Sequence, residues 1–180
     1  MSITRRSLLL AGLMAPIART ASAHDRSALL PTEVRVHPGL MPGDIYVIPE
    51  DFHLYHIRRP GIAMRYGVGV GRAGLEFKGA AVIQRKAEWP SWRPTDDMIG
   101  REPEKYAQYA DGVPGGPENP LGARALYLYR NGRDTYYRIH GTTAPETIGS
   151  SVSNGCIRLR NEDVIALYDA VEIGTHVTVV

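Results

Sequence analysis

Hydrophobic residues recur along this chain in short runs bounded by turn residues. Seven of these runs read as strands: Ile45 to Pro49, Phe52 to Ile57, Ala63 to Val70, Ala80 to Ala87, Ala125 to Tyr129, Thr135 to His140 and His176 to Val180. One stretch has clear helical spacing, Glu162 to Val171, with Val164, Ile165, Leu167, Tyr168 and Val171 on one face. Asn161 is placed to cap it, Glu162 and Asp163 enrich its first turn, and Gly174 is placed to stop it. The pattern predicts a mainly β domain with short helices.

Between Trp89 and Leu121 the periodicity breaks down. Six prolines fall from Pro90 to Pro120, with Gly115-Gly116 and the aromatics Trp89, Trp92, Tyr106 and Tyr109. Thr95 is positioned to cap a short helix over Asp96 to Arg101, ended by Pro103. An excursion this long in a compact domain is usually functional or disordered, and its aromatics favour an ordered flap over a cleft against a loop merely pinned to the core. Gly67, Gly69 and Gly71 in "RYGVGVGR" have no helix signal after them, so they mark close backbone packing rather than a nucleotide loop.

Charge changes the picture at the N-terminus. Arg5 and Arg6 precede a short apolar run and then Ala21-Ser22-Ala23, the order of a cleavable signal peptide over residues 1–23. The paired arginines suggest the twin-arginine route, with the general secretory route as the other possibility. The apolar run is shorter than the ~20 residues of a spanning helix, and no later segment is apolar enough to span. Removing residues 1–23 takes away three arginines, leaving 18 basic against 19 acidic side chains, so the net charge of +2 becomes −1. The basic balance is therefore the leader's, and no nucleic-acid footprint remains. Residues 24–42 form a polar lead-in, and 43–180 are long enough for one domain with its own core.

Candidate chemistry centres on Cys156, the only cysteine. It cannot form an internal disulfide, which leaves a buried bystander, an interchain bridge or a working thiol. If residues 156–160 are extended, Ile157 and Leu159 face a core while Cys156, Arg158 and Arg160 face away. That cationic face is expected to lower the thiol pKa and favour thiolate. Gly155 allows close backbone approach to a substrate carbonyl. Among the histidines, His140 ends a strand beside Gly141, with Arg138 on the same face, and so sits at a rim. His24, His37 and His176 read as structural or solvated. His53 and His56 lie three apart in a strand-like run without further ligands, so no metal site is expected. The Gly141 to Gly155 segment reads as a loop able to fold the second segment back beside the first.

"RIHGT" followed by "SNGCIRLRN", with His140 and Cys156 16 positions apart, resembles the catalytic signature of the L,D-transpeptidases, the YkuD domain family. The likeness extends upstream through "RYGVGVGR", "RKAEWPSWRPTDDMI" and "GGPENPLGARALYLY". It implies a β-sandwich-like fold with flanking helices, Cys156 as nucleophile, His140 as base and the Gly141 carbonyl as the group orienting the imidazole. It further implies an oxyanion hole at the Gly155 and Cys156 N–H groups and a substrate carboxylate on Arg158. Ser153, Asn154 and Arg138 complete the candidate substrate-binding set. Many members carry histidine where this chain has Asn154, which cannot act as a base but can hold the loop by hydrogen bonds.

The resemblance implies a periplasmic transpeptidase acting on peptidoglycan stem peptides, through an acyl-enzyme resolved by an amine of a second stem or of an outer-membrane lipoprotein, without cofactor. Two alternatives stand: an L,D-carboxypeptidase or cross-link hydrolase using the same site, and a catalytically idle wall-binding module.

Overall fold

A computed structural model describes residues 26–180, so the expected leader, residues 1–23, lies outside the described residues. In chain order the first strands are β1 (Thr32–Arg35), β2 (Ile45–Ile48), β3 (His53–Arg59), β4 (Ile62–Gly67), β5 (Val70–Gly71) and β6 (Gly79–Glu88). Helices α1 (Asp96–Arg101) and α2 (Pro103–Tyr106) interrupt them. Then follow β7 (Arg124–Arg130), β8 (Arg133–His140), β9 (Ser151–Ser153), β10 (Ile157–Arg158), α3 (Asn161–Ala170) and β11 (His176–Val179).

Nine strands share one sheet in the order β1-β4-β3-β2-β11-β6-β7-β8-β10, and β5 and β9 form a parallel ribbon. The C-terminal strand lies in mid-sheet, parallel to β2 and antiparallel to β6. The sheet also curls back on itself. Gly69, just after β4, exchanges backbone hydrogen bonds of 2.9 and 2.8 Å with Arg158 of β10, so chain leaving one end of the sheet meets the strand at the other. A β-carbon on Gly69 would stand 2.9 Å from the Thr147 carbonyl, which is why this crossing needs glycine.

The curled sheet encloses Val47, Leu54, Ile83, Leu126, Ile139 and Leu159, all without exposed surface. Burying each such side chain stabilises by roughly 1.5–3 kcal/mol. The result is the mainly β, sandwich-like body with helices on its flank that the sequence implies. The predicted strands are present to within a few residues, except that Ala63 to Val70 divides into β4 and β5. The short edge strand β1, with mostly exposed positions, was not legible as a strand.

Helix α3 corrects two details. Its N-cap is Arg160, with no side-chain cap, and Asn161 is its first helical residue. Its C-cap is Val171 in extended conformation rather than Gly174. Lys86 instead serves that end, donating from Nζ to the Tyr168 and Val171 carbonyls at 2.6 and 2.7 Å. A cation placed on the last carbonyls complements the helix dipole. In α1 the expected cap forms, with Thr95 Oγ1 accepting from the Met98 N–H at 3.2 Å, while Pro103 opens α2 as well as closing α1.

Candidate active site

The polar loop between Gly141 and Gly155 lets β10 return beside β8 as its parallel neighbour, with Ile157 opposite Ile139 and Arg158 opposite His140. The inward pair is buried, and the outward residues Cys156, Arg158, Arg138 and His140 line a cleft of about 990 Å³. Its other wall is the flap, including Trp92, Met98, Tyr106 and Tyr109. The expected flap over a cleft is therefore present. Trp92 packs edge-on against both Tyr106 and Tyr109, with ring centroids 6.4 and 5.8 Å apart.

His140 is buried, and its Nδ1 lies 2.5 Å from the Gly141 carbonyl. A carbonyl only accepts, so in the neutral ring Nδ1 carries the hydrogen that meets Gly141. Burial, reinforced by the Arg158 guanidinium, lowers the His140 pKa to about 3 despite the opposing bond to Gly141. The imidazole is neutral at pH 7. Asn161 braces this corner: its Oδ1 accepts from the Ala123 N–H at 3.0 Å, and a β-carbon on Gly141 would lie 2.2 Å from that oxygen.

Cys156 corrects an expectation. Burial pushes its thiol above the usual range, and the nearby Arg138 and Arg158 charges offset this only in part. A thiol and a neutral imidazole, rather than a thiolate and an imidazolium, form the resting pair. The sulfur reaches toward the Tyr136 carbonyl at 3.9 Å. Tyr136 lies where the β7–β8 register shifts, and it takes a left-handed φ of 62° with 70% of its surface exposed.

The loop before Cys156 is held from within. Ser153, fully buried, accepts the Gly155 N–H on its Oγ at 3.0 Å and donates to the Cys156 carbonyl at 2.7 Å. The Gly155 N–H expected in an oxyanion hole is thus engaged by Ser153, and Ser153 holds the loop rather than offering a free hydroxyl. Gly155 has φ 116°, and a β-carbon there would come within 2.3 Å of both the Leu75 carbonyl and the Tyr137 ring. Asn154 accepts from Arg72 on Oδ1 at 3.1 Å and donates from Nδ2 to Tyr106 Oη at 2.7 Å.

The two cleft arginines differ. Arg138 grips both carboxylate oxygens of Asp134 at 3.2 Å and stacks 4.5 Å from the Tyr127 ring centroid. Arg158 forms no ion pair among the described residues, and its Nε is buried without an acceptor. Among the described residues no three His, Cys, Asp or Glu side chains gather to hold a metal, and no helix is long and apolar enough to cross a membrane.

The model of the YkuD family, the L,D-transpeptidase catalytic domain, matches residues 42–179. The chain belongs to this family. A Bacillus subtilis relative, the "Putative L,D-transpeptidase YqjB", is 34% identical over 144 residues, 77% of this chain and 73% of its own. The "Probable L,D-transpeptidase ErfK/SrfK" of Escherichia coli is 39% identical over 117 residues, which span 64% of this chain and only 36% of that longer one. A Brucella melitensis crystal structure described as a "Probable carnitine operon oxidoreductase" is 48% identical, covers 84% of this chain and 96% of its own, and superposes with a TM-score of 0.58. The catalytic domain of an E. faecium L,D-transpeptidase acylated by ertapenem shares the fold at 22% identity and TM-score 0.55, over 79% of this chain and all of that one.

Cys156 and His140, singled out from the sequence, both line the cleft, and Gly141 lies beside His140 as expected. Arg72, Glu102, Tyr136 and Asn161 were missed as site residues, because their partners lie tens of positions away and no local spacing signals them.

Proposed function

We propose that this chain is a cysteine acyltransferase of the bacterial cell wall, acting as an L,D-transpeptidase on peptidoglycan stem peptides. The observation that carries the reading is the parallel register of β8 and β10. It aligns Arg158 with His140 and sets Cys156 on the same cleft wall.

In this reading Cys156 Sγ attacks the carbonyl joining an L-centre to a terminal D-residue while its proton passes to His140 Nε2. Both partners are neutral at rest, so in this reading the thiol loses its proton as it attacks rather than beforehand. The Gly141 carbonyl, by fixing hydrogen on Nδ1, leaves Nε2 as the nitrogen that takes the proton. As the tetrahedral intermediate collapses, the imidazolium protonates the leaving amine and a thioester remains. An incoming amine then gives a proton to Nε2, bonds to the acyl carbon and expels the sulfur, which recovers the proton.

Arg158 suits the substrate carboxylate, since its fork meets no acid among the described residues. The Cys156 N–H is the oxyanion donor, Gly155 being occupied. The donor residue implied by the family is meso-diaminopimelate, with a second stem or a lipoprotein as acceptor and the periplasm as location. The test is incubation with a disaccharide-tetrapeptide and mass analysis. A dimer lacking one D-alanine, absent with Cys156→Ala, supports transpeptidation, whereas tripeptide alone assigns the carboxypeptidase and no turnover favours the binding module.

A further inference from the structure

Asn154 stands two residues before the thiol and holds two separate parts of the chain. Its Oδ1 accepts from Arg72 Nη2 at 3.1 Å, and the same Arg72 nitrogen pairs with Glu102 Oε1. Its Nδ2 donates to Tyr106 Oη at 2.7 Å. Glu102 is the cap of α2 and Tyr106 its last residue, so both ends of that flap helix are tied to the cysteine loop. Lys105 adds a contact to Glu102 at 3.6 Å and lies 4.9 Å from the Tyr106 ring centroid. Arg72 holds the Glu102 carboxyl below the usual range, so the pair is ionised at neutral pH.

These contacts have no counterpart in the chemistry already assigned. Tyr106 and Asn154 line the cleft, while Arg72 and Glu102 are not among its lining residues. Cys156, His140 and Arg158 are fixed by β8, β10 and the sheet core, whereas α1 and α2 contribute no strand to that sheet. Loosening the network should release the flap and leave the reacting groups where they are. What then changes is access to the thioester.

We infer that the Arg72–Glu102–Asn154–Tyr106 network clamps the flap onto the cysteine loop and sets which acceptor resolves the acyl-enzyme, favouring an amine over water. This rests on the acyl transfer proposed above. The thioester carbon–sulfur bond breaks in either outcome. With an amine, a carbon–nitrogen bond forms; with water, a carbon–oxygen bond forms and a free carboxylate leaves. In both, the proton lost by the nucleophile passes through His140 to the departing sulfur, and no other reactant is needed. Water is small and abundant, so a flap held closed over the thioester favours an amine bound in the cleft by keeping water out. Arg72, Glu102 and Tyr106 are then positioning residues, acting through the flap.

The test uses the purified protein and its Glu102→Gln and Arg72→Gln variants, which alter the clamp at residues that do not line the cleft. With a disaccharide-tetrapeptide as donor and acceptor, mass spectrometry follows three products: the thioester adduct, the cross-linked dimer and the hydrolysed tripeptide. The expected result is an unchanged rate of adduct formation with the hydrolysis-to-transfer ratio raised about fivefold, the scale set by losing one charge-assisted hydrogen bond in a partly solvated network. A ratio that stays fixed in both folded variants, or adduct formation that falls in step with transfer, overturns the clamp. Should one variant fail to fold, the other carries the measurement. Absence of any adduct in the unmodified protein would instead overturn the acyltransferase reading itself.

Discussion

His140 and Arg158 are register partners in a two-strand parallel pair, and the Leu159 N–H completes it by donating to the His140 carbonyl at 2.8 Å. Burial chiefly depresses the imidazole pKa, and the adjoining guanidinium adds to that effect. Arg158 holds two tasks at once, offering a fork for a carboxylate and helping to keep the base neutral.

Arg158→Gln should therefore weaken substrate binding. Loss of a charge-assisted bidentate contact is expected to lower kcat/KM by roughly ten- to a hundredfold, mostly through KM. Steady-state kinetics on a stem tetrapeptide checks this, with Arg138→Gln as a comparison. Because Arg138 is already held by Asp134, its loss should affect KM less.

The thiol should titrate high. Burial raises the Cys156 pKa, so alkylation by iodoacetamide is expected to keep accelerating with pH beyond the ordinary thiol value of about 8.5. A rate plateau beginning near pH 6 would instead reveal a thiolate–imidazolium pair at rest.

Gly155→Ala should abolish activity. The added methyl would meet the Leu75 carbonyl and the Tyr137 ring at 2.3 Å, in a backbone conformation costly for any L-residue. Thermal melting should show a loss on the order of 3 kcal/mol, with no recovery of thiol reactivity in the folded fraction.

Acid should destabilise the fold through its buried histidines. His56 is 3% exposed, and burial followed by the Arg58 charge lowers its pKa to about 4, while His140 titrates at about 3. Unfolded histidine binds a proton near pH 6.5, so between that pH and about 4 the unfolded chain holds more protons than the folded one. Stability is thus complete above pH 6.5 and falls as pH drops through this window. Denaturant melts at pH 7 and 5 check it, and His56→Gln should flatten the dependence.

The flap ties illustrate what was not legible. That Trp89 to Leu121 forms a cleft wall followed from its aromatics and its length, yet the grip of Arg72 on Glu102 joins positions 30 apart and that of Arg72 on Asn154 positions 82 apart. Likewise, Asn161 read as a helix cap because its spacing before Glu162 fitted one. The space beneath Gly141 and Gly122 claimed its side chain instead, since the Ala123 N–H there needed an acceptor.

By itself the sequence determined the mainly β class and the placement of most strands, and it singled out one cysteine and one histidine that the fold sets in one cleft, because alternation and a short motif are local properties of a chain. Tertiary structure alone decided the protonation of that pair and the donors left free around it. A cationic neighbourhood read along the strand argues for thiolate, but desolvation depends on everything packed around the sulfur, and here it outweighs the arginines. The same holds for Gly155, whose N–H was available on paper until the fold brought the Ser153 hydroxyl within 3.0 Å of it.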